Sequence, residues 1–165
     1  MIIIEQATTE DASQIAALAK VVWWAHFPGI ISKEQVEYML ARWYTEEAIA
    51  QDMESGPVKY LKLLVDGQLT AFASYGPSGV ANEMQLHRLY VHPHFQRRGH
   101  GSTIIRHVEE NAAQGGHQVL LIAVNKNNKE AISSYKKNGF TIRRSTKVDI
   151  GGGFYMDDYH MTKKL

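Results

Sequence analysis

Apolar and polar positions change period repeatedly along this chain, and the changes divide it into short elements. Ile2, Ile3 and Ile4 read as a strand, after which Thr8 or Thr9 with Glu10 and Asp11 makes a helix start suited to the helix dipole. Ile15, Leu18 and Val22 give that helix an apolar stripe. Trp23, Trp24, His26, Phe27, Pro28 and Gly29 read as an aromatic loop at its end. Ser32 followed by Gln35 is a capping box, and Val36, Met39, Leu40 and Trp43 follow at helical spacing, so a second helix is predicted there, with a short third over 45–53.

Gly56 and Pro57 break the helical pattern, and two alternating runs, 59–65 and 68–75, flank an Asp66-Gly67 pair, the signal of a β-hairpin. A loop over 76–82 leads to a strand over 83–91, stopped by His92-Pro93. Residues 99–113 form a helical pattern with Ile105, Val108 and Ala112 inward, ended by Gly115-Gly116. The unbroken apolar run 119–124 is that of a central strand covered on both faces. Asn128 caps a helix reaching Asn138, Gly139 supplies its left-handed end, Phe140 starts the next strand, and Gly151 to Gly153 turn into a last strand over 154–161.

Composition narrows the classes. At 165 residues and 44% hydrophobic content, the chain suits one domain, 1–165, with no repeat or linker. Charged residues make up 21% and the formal net charge is +1, without the basic stripe of a nucleic-acid binder. Cysteine is absent, which removes disulfides, thiol nucleophiles and thiolate metal sites. The opening isoleucines give way at once to Glu5, unlike a leader, and no apolar run reaches membrane-spanning length. A soluble, cytoplasmic protein with no membrane partner is expected.

The informative chemistry begins at Leu89-Tyr90-Val91-His92-Pro93-His94-Phe95-Gln96-Arg97-Arg98-Gly99-His100-Gly101-Ser102, a strand, a short loop, then two glycines opening a helix. Helix N-termini present unpaired N–H groups and partial positive charge, and glycines let a phosphate approach without meeting a Cβ atom. Arg97 and Arg98 add charge beside them. No GK[ST] follows, so this is not a Walker loop, and the third glycine of a dinucleotide fingerprint is missing.

Gln96 to Gly101 instead matches the Q/R-x-x-G-x-G/A pyrophosphate loop of the GNAT acetyltransferase superfamily, and the chain resembles that family here. A second stretch, Asn128-Lys129-Glu130-Ala131-Ile132-Ser133-Ser134-Tyr135-Lys136-Lys137-Asn138-Gly139-Phe140, resembles its N-x-x-A-x-x-x-Y-x-x-x-G-F motif. The resemblance implies an α/β fold, a mixed, mostly antiparallel twisted sheet of six to seven strands flanked by about four to five helices. It implies acetyl-CoA as co-substrate, held by the backbone of Leu89, Tyr90 and Val91, by the loop from Gln96 through Arg97, Arg98, Gly99, His100 and Gly101 to Ser102, and by Asn125, Asn128, Ala131 and Tyr135. It also implies Tyr135 as the acid that protonates the departing thiolate. Asn128 can cap its helix or hold the cofactor's amide arm, and Tyr135 could equally be a half-buried core tyrosine.

Several relatives place a glutamate general base where this chain has Gln85, and glutamine cannot take a proton. His87 lies two residues on, and Glu83 two residues back, on the same face by the strand's period of two. His87 is the expected base, directly or through water, or else a histidine that merely lines the strand. His87, His92, His94 and His100 cluster without an interleaved carboxylate, so no metal is expected. Lys126, Lys129, Lys136 and Lys137 read as a solvated helix face, though one could touch the cofactor's ribose phosphate.

The acceptor wall is expected from the first two helices and the last strands: Trp23, Trp24, His26, Phe27, Tyr38, Trp43 and Tyr44, then Phe154, Tyr155, Asp157, Asp158 and Tyr159, with Gln85 beside them. Aromatic rings beside carboxylates suit a cationic amine, though the rings could simply fill the space between helices and sheet. Glu34 to Leu40 and Met156 to Met161 resemble a bacterial branch that includes polyamine acetyltransferases. That makes a polyamine-like small-molecule amine the leading acceptor, with Trp24, Phe27, Tyr38, Gln85 and Asp157 as contacts. The alternatives are acetylation of a protein N-terminus or lysine, and an acyl-CoA-binding module without turnover. A homodimer joined through the last strand is a further possibility.

Overall fold

The computed structural model describes all of Met1–Leu165. Its elements run β1 (Ile2–Gln6), α1 (Ala12–His26), α2 (Lys33–Trp43), α3 (Glu46–Glu54), β2 (Lys59–Val65), β3 (Gln68–Pro77), β4 (Glu83–Val91), α4 (His100–Gln114), β5 (Val119–Asn125), α5 (Lys129–Lys137), β6 (Thr141–Gly151) and β7 (Phe154–Lys164). The seven strands form one sheet in the order β1-β2-β3-β4-β5-β7-β6. Only β4 and β5 pair in parallel; all other neighbours are antiparallel. The α/β architecture, the strand number and the helix number agree with the sequence expectation.

Local chemistry sets the helix starts. The Ser32 hydroxyl accepts the Gln35 N–H at 3.1 Å to open α2, and Thr45 accepts the Ala48 N–H at 3.1 Å to open α3. The Gln35 side chain does not return to close the capping box; it donates to the Tyr155 carbonyl at 2.8 Å and ties α2 to β7. The β2–β3 hairpin turns at Asp66 and Gly67 with φ of 49° and 82°, the backbone that a tight hairpin needs and glycine supplies at little cost.

The sheet is covered on both faces. On one, Ile15, Trp23, Val36 and Ile49 from α1 to α3 close over Tyr60 and Phe72. On the other, Ile104, Ile105 and Val108 of α4 close over Leu63, Leu86, Leu120 and Met161, with Phe140 beside them. Each such side chain contributes about 1.5–3 kcal/mol on leaving water.

Two expectations change. Trp23, Trp24 and His26 are not in a loop but in the last turns of α1, because Trp23 continues the buried stripe from Ala19 and stacks on Phe27 at 4.2 Å. The last strand, β7, has both edges filled by β5 and β6, so it has no free edge through which a second copy could pair.

One departure from regularity positions everything that follows. Strand β4 aligns with β5 only over Glu83–Leu86 against Val119–Ile122, while it continues along β3 to Val91. The β3 register shifts between Ser74 and Tyr75, so that Ser74 faces Arg88 and Tyr75 faces Leu86, leaving His87 as the extra residue of a bulge. A bulge bends its strand and increases local twist. The second half of β4 therefore turns away from β5, and the sheet splits open along that line.

Candidate active site

The split opens into a cleft of about 860 Å³, walled by α1, α2, β4, β5, β7, the start of α4 and one face of α5. At its mouth lies the loop between β4 and α4. Arg97 and Gly99 take left-handed backbone with φ of 63° and 81°, and Gly99 is the residue that caps α4. Arg97 is a non-glycine residue in a conformation that costs about 1–3 kcal/mol. From Arg97 to Ser102 no backbone N–H finds an acceptor within the chain, and the first helical bond is Thr103 N–H to the Gly99 carbonyl at 3.0 Å.

A Cβ added at Gly101 would meet nothing within 4 Å, so that glycine is not demanded by protein packing. His100 is 6% exposed, and its Nδ1 has no partner. Arg97, Gly99, His100, Gly101 and Ser102 line the cleft; the Arg98 guanidinium instead lies 5.2 Å from the Phe95 ring centre. The Gln96 side chain donates to the Val91 carbonyl at 3.1 Å and holds the loop against the strand end. Together these features make a concave array of free donors beside positive charge, which suits an anion.

Leu89, Tyr90 and Val91 line the cleft on one side and Ile122 to Asn125 on the other, along the stretch where the two strands have parted. Helix α5 closes this side. Asn128 is 7% exposed; its Oδ1 accepts the Ala131 N–H at 3.3 Å and lies 3.1 Å from His26 Nε2, so it caps α5 and ties it to α1. The Asn125 side chain accepts the Asn127 N–H at 2.8 Å, shaping the same turn. Ala131 and Tyr135, one helical turn apart, both face the cleft. The Tyr135 ring packs against Phe140, and no group of the chain bonds its hydroxyl. Burial pushes that phenol up to about 12, so it keeps its proton throughout the neutral range.

On β4 the candidates for proton removal separate. Glu83 is 3% exposed and committed elsewhere: its carboxylate accepts from Arg143 at 2.6 Å and from Ser78 at 2.7 Å, and it does not line the cleft. Gln85 and His87 do line it. Because His87 is the bulged residue, the strand's period of two breaks at the place where the sequence reading relied on it. Crowding of its ring by protein atoms lowers its pKa, with Asp52 pulling it up and Arg88 pushing it down.

The acceptor wall also differs from expectation. Phe27 and Gln85 line the cleft, with Trp23, His26 and Tyr44. Trp24 does not; it packs into the helical face of the core. Tyr38 is taken up by structure, donating to the Ile150 carbonyl at 2.6 Å and covering the β6–β7 turn, where a Cβ at Gly151 would come within 2.6 Å of its hydroxyl. Asp157 points out of the cleft and pairs with Lys126 at 2.8 Å, so by strand alternation Asp158 points in.

Asp158 is 7% exposed, and nothing in the chain donates to its carboxyl. Burial and the adjacent Asp157 charge raise its pKa to about 6 against the pull of Lys126. Gln35, Met39 and Met156 complete this wall, and sequence periodicity offered no signal that they belong to the site. Behind it a polar chain holds the rings in place: Asp52 accepts from Tyr60 at 2.7 Å, Tyr60 accepts from Arg88 at 2.9 Å, and the Arg88 guanidinium lies 4.1 Å from the centre of the Tyr44 ring. The Tyr44 and Tyr90 hydroxyls meet at 3.0 Å.

No three His, Cys, Asp or Glu side chains converge so as to hold a metal ion, and no helix is long and apolar enough to cross a membrane.

Comparison with known proteins places this geometry. A family model described as the acetyltransferase (GNAT) family matches residues 20–140, which span the cleft from α1 through the cradle to the end of α5. A spermidine N(1)-acetyltransferase of Thermoplasma acidophilum is 26% identical over 151 residues, covering 89% of this chain and 92% of its own. A ribosomal protein bS18-alanine N-acetyltransferase of Salmonella typhimurium is 36% identical over 88 residues, covering 52% and 58%. Among solved structures, the PaiA N-acetyltransferase of Thermoplasma acidophilum in complex with coenzyme A superposes with a TM-score of 0.85 at 25% identity, over 100% of this chain and 99% of that one. With the split sheet, the amide cradle and the match across most of the chain, this protein belongs to the GNAT family of acetyltransferases.

Proposed function

We propose that the protein transfers an acetyl group from acetyl-CoA to a primary amine of a small molecule, a polyamine-like amine foremost, by direct attack within a ternary complex. One observation carries the reading: the unbonded Tyr135 hydroxyl and the unpaired amides of 97–102 open into the same cleft, on either side of the parted strands. The relatives named for spermidine and for coenzyme A support both halves of it.

In this reading the diphosphate of the nucleotide sits on the amides from Arg97 to Ser102. The pantetheine arm runs between the parted halves of β4 and β5, beside Leu89, Tyr90 and Val91, with Asn125, Asn128 and Ala131 along its other side. The amine enters from the side of Phe27 and Gln85. Its nitrogen forms a bond to the thioester carbonyl carbon as the carbon–sulfur bond breaks. Tyr135 gives its proton to the departing sulfur, and His87, directly or through a water, takes the proton that the amine loses. With no cysteine in the chain, no thiol nucleophile stands between donor and acceptor, and rate comes mainly from holding the two together.

The test is thiol release from acetyl-CoA with a panel of polyamines, amino acids, aminoglycosides and peptides. Turnover is expected with small amines, and Tyr135→Phe is expected to lower kcat by on the order of 10²-fold or more with KM for acetyl-CoA little changed. Unchanged kcat in that variant, or turnover confined to peptides, contradicts the proposal.

A further inference from the structure

We infer that Asp158 is the residue that selects the acceptor: it binds a second cationic group of the amine substrate, one that does not react. The inference rests on the acetyl-transfer reading above and narrows its substrate to molecules with two or more amines.

The argument starts from charge. Among the cleft-lining residues contributed by α1, α2 and the strands, Asp158 is the only Asp, Glu, Lys or Arg; the other charged lining residues, Arg97, Glu130 and Lys137, belong to the cradle loop and α5. It is also 93% buried by its 7% exposure, and nothing in the chain donates to its oxygens. The cation that pulls on it, Lys126, is held by Asp157 at 2.8 Å. A buried carboxylate without a partner is costly, and a fold retains one only where something compensates it.

The surroundings say what that something is. Gln35, Met39 and Met156 supply no second anion, and the rings of Trp23, Phe27 and Tyr44 line the same cleft. A carboxylate that shares a cleft with aromatic rings suits an ammonium, which gains a charge-assisted hydrogen bond from the one and cation–π attraction from the others. The ammonium held there cannot be the nitrogen that attacks, because a protonated amine has no lone pair, and pairing with a carboxylate keeps it protonated. The acceptor must therefore carry another amine, free to lose its proton at the thioester while the first stays anchored.

The unmodified protein decides the matter without any variant. At saturating acetyl-CoA, a linear α,ω-diamine is expected to show a KM lower by about 10- to 100-fold than the amino alcohol of equal length, the span of one charge-assisted hydrogen bond. In Asp158→Asn, which keeps shape and removes charge, the diamine KM is expected to rise by that factor with kcat within about threefold. The amino alcohol and the affinity for coenzyme A should not change. Equal KM for diamine and amino alcohol in the unmodified protein overturns the inference, and so does an Asn variant that loses both substrates alike, since Asp158 would then serve the reacting nitrogen. A protein that binds coenzyme A but turns over monoamines alone leaves acetyl transfer standing and overturns only this assignment; one that binds no coenzyme A brings down both.

Discussion

Surroundings move the proton affinities of Tyr135 and His87 in opposite directions, one up and one down. Tyr135 is surrounded by apolar neighbours, and burial alone raises its pKa to about 12, which keeps it a proton donor. His87 stands on a bulge at the split, where crowding by protein atoms lowers its pKa and leaves the imidazole neutral at pH 7, the form a base requires.

The sign of the pH effect follows. The amine's own ionisation makes kcat/KM rise with pH in the first power, and His87 adds a second power only below its depressed pKa, on the acid side of 6.5. In His87→Ala the steeper acid limb is expected to vanish, with the rate lower by about 10²-fold at neutral pH. A rate profile that keeps its shape in that variant removes His87 from the chemistry. Which carboxylate faces the cleft was only half legible in sequence. Asp157 and Asp158 are adjacent and chemically identical, and the choice between them depends on strand register, with Lys126 drawing one outward.

The elements that build the site are short, and their ends matter more than their middles. Helix α5 carries Tyr135 but has no fully buried residue of its own, so it depends on its cap and on its seat against Phe140. Removing the cap by Asn128→Ala is expected to cost about 1–2 kcal/mol, a drop of a few degrees in Tm, because it deletes the acceptor for the Ala131 N–H and the contact to His26. Since Tyr135 rides on that helix, kcat should fall more than KM rises. Thermal melts with steady-state kinetics check both, and a destabilised variant with unchanged kcat would show that the cap does not position Tyr135.

Capping and turn chemistry were readable in advance at Ser32, Thr45, Asp66-Gly67 and Gly139, because these signals act over a few neighbouring residues. The end of α1 was not, since Trp23 and Trp24 are held in helix by distant partners such as Tyr44 and the sheet. The bulge at His87 was not either: it is a property of two strands together, and its effect reverses the face on which every later residue of β4 lies.

Across the whole molecule, the sheet is continuous where the core packs and split where the cleft opens. Leu86 and Leu120 stay packed under α4, while a few residues further on the same strands part to make the cleft. The two local motifs, 96–101 and 128–140, were legible because each is a strand or turn feeding a helix end. Their convergence on one cleft was implied only by the family likeness, since nothing in the spacing between them fixes the distance between two helices.

In the proposed mechanism the backbone amides beside Gly101 hold the diphosphate of coenzyme A. Gly101 offers the direct measurement: a methyl added there meets no protein atom, and alanine favours helix over glycine by about 0.8–1.0 kcal/mol. Titration calorimetry of coenzyme A against the unmodified protein and Gly101→Ala, alongside thermal melts, is expected to show saturable one-to-one binding in the first. The second should bind at least tenfold more weakly while melting no lower. Equal affinity in the two proteins, or no binding heat from well-folded unmodified protein, would rule that contact out.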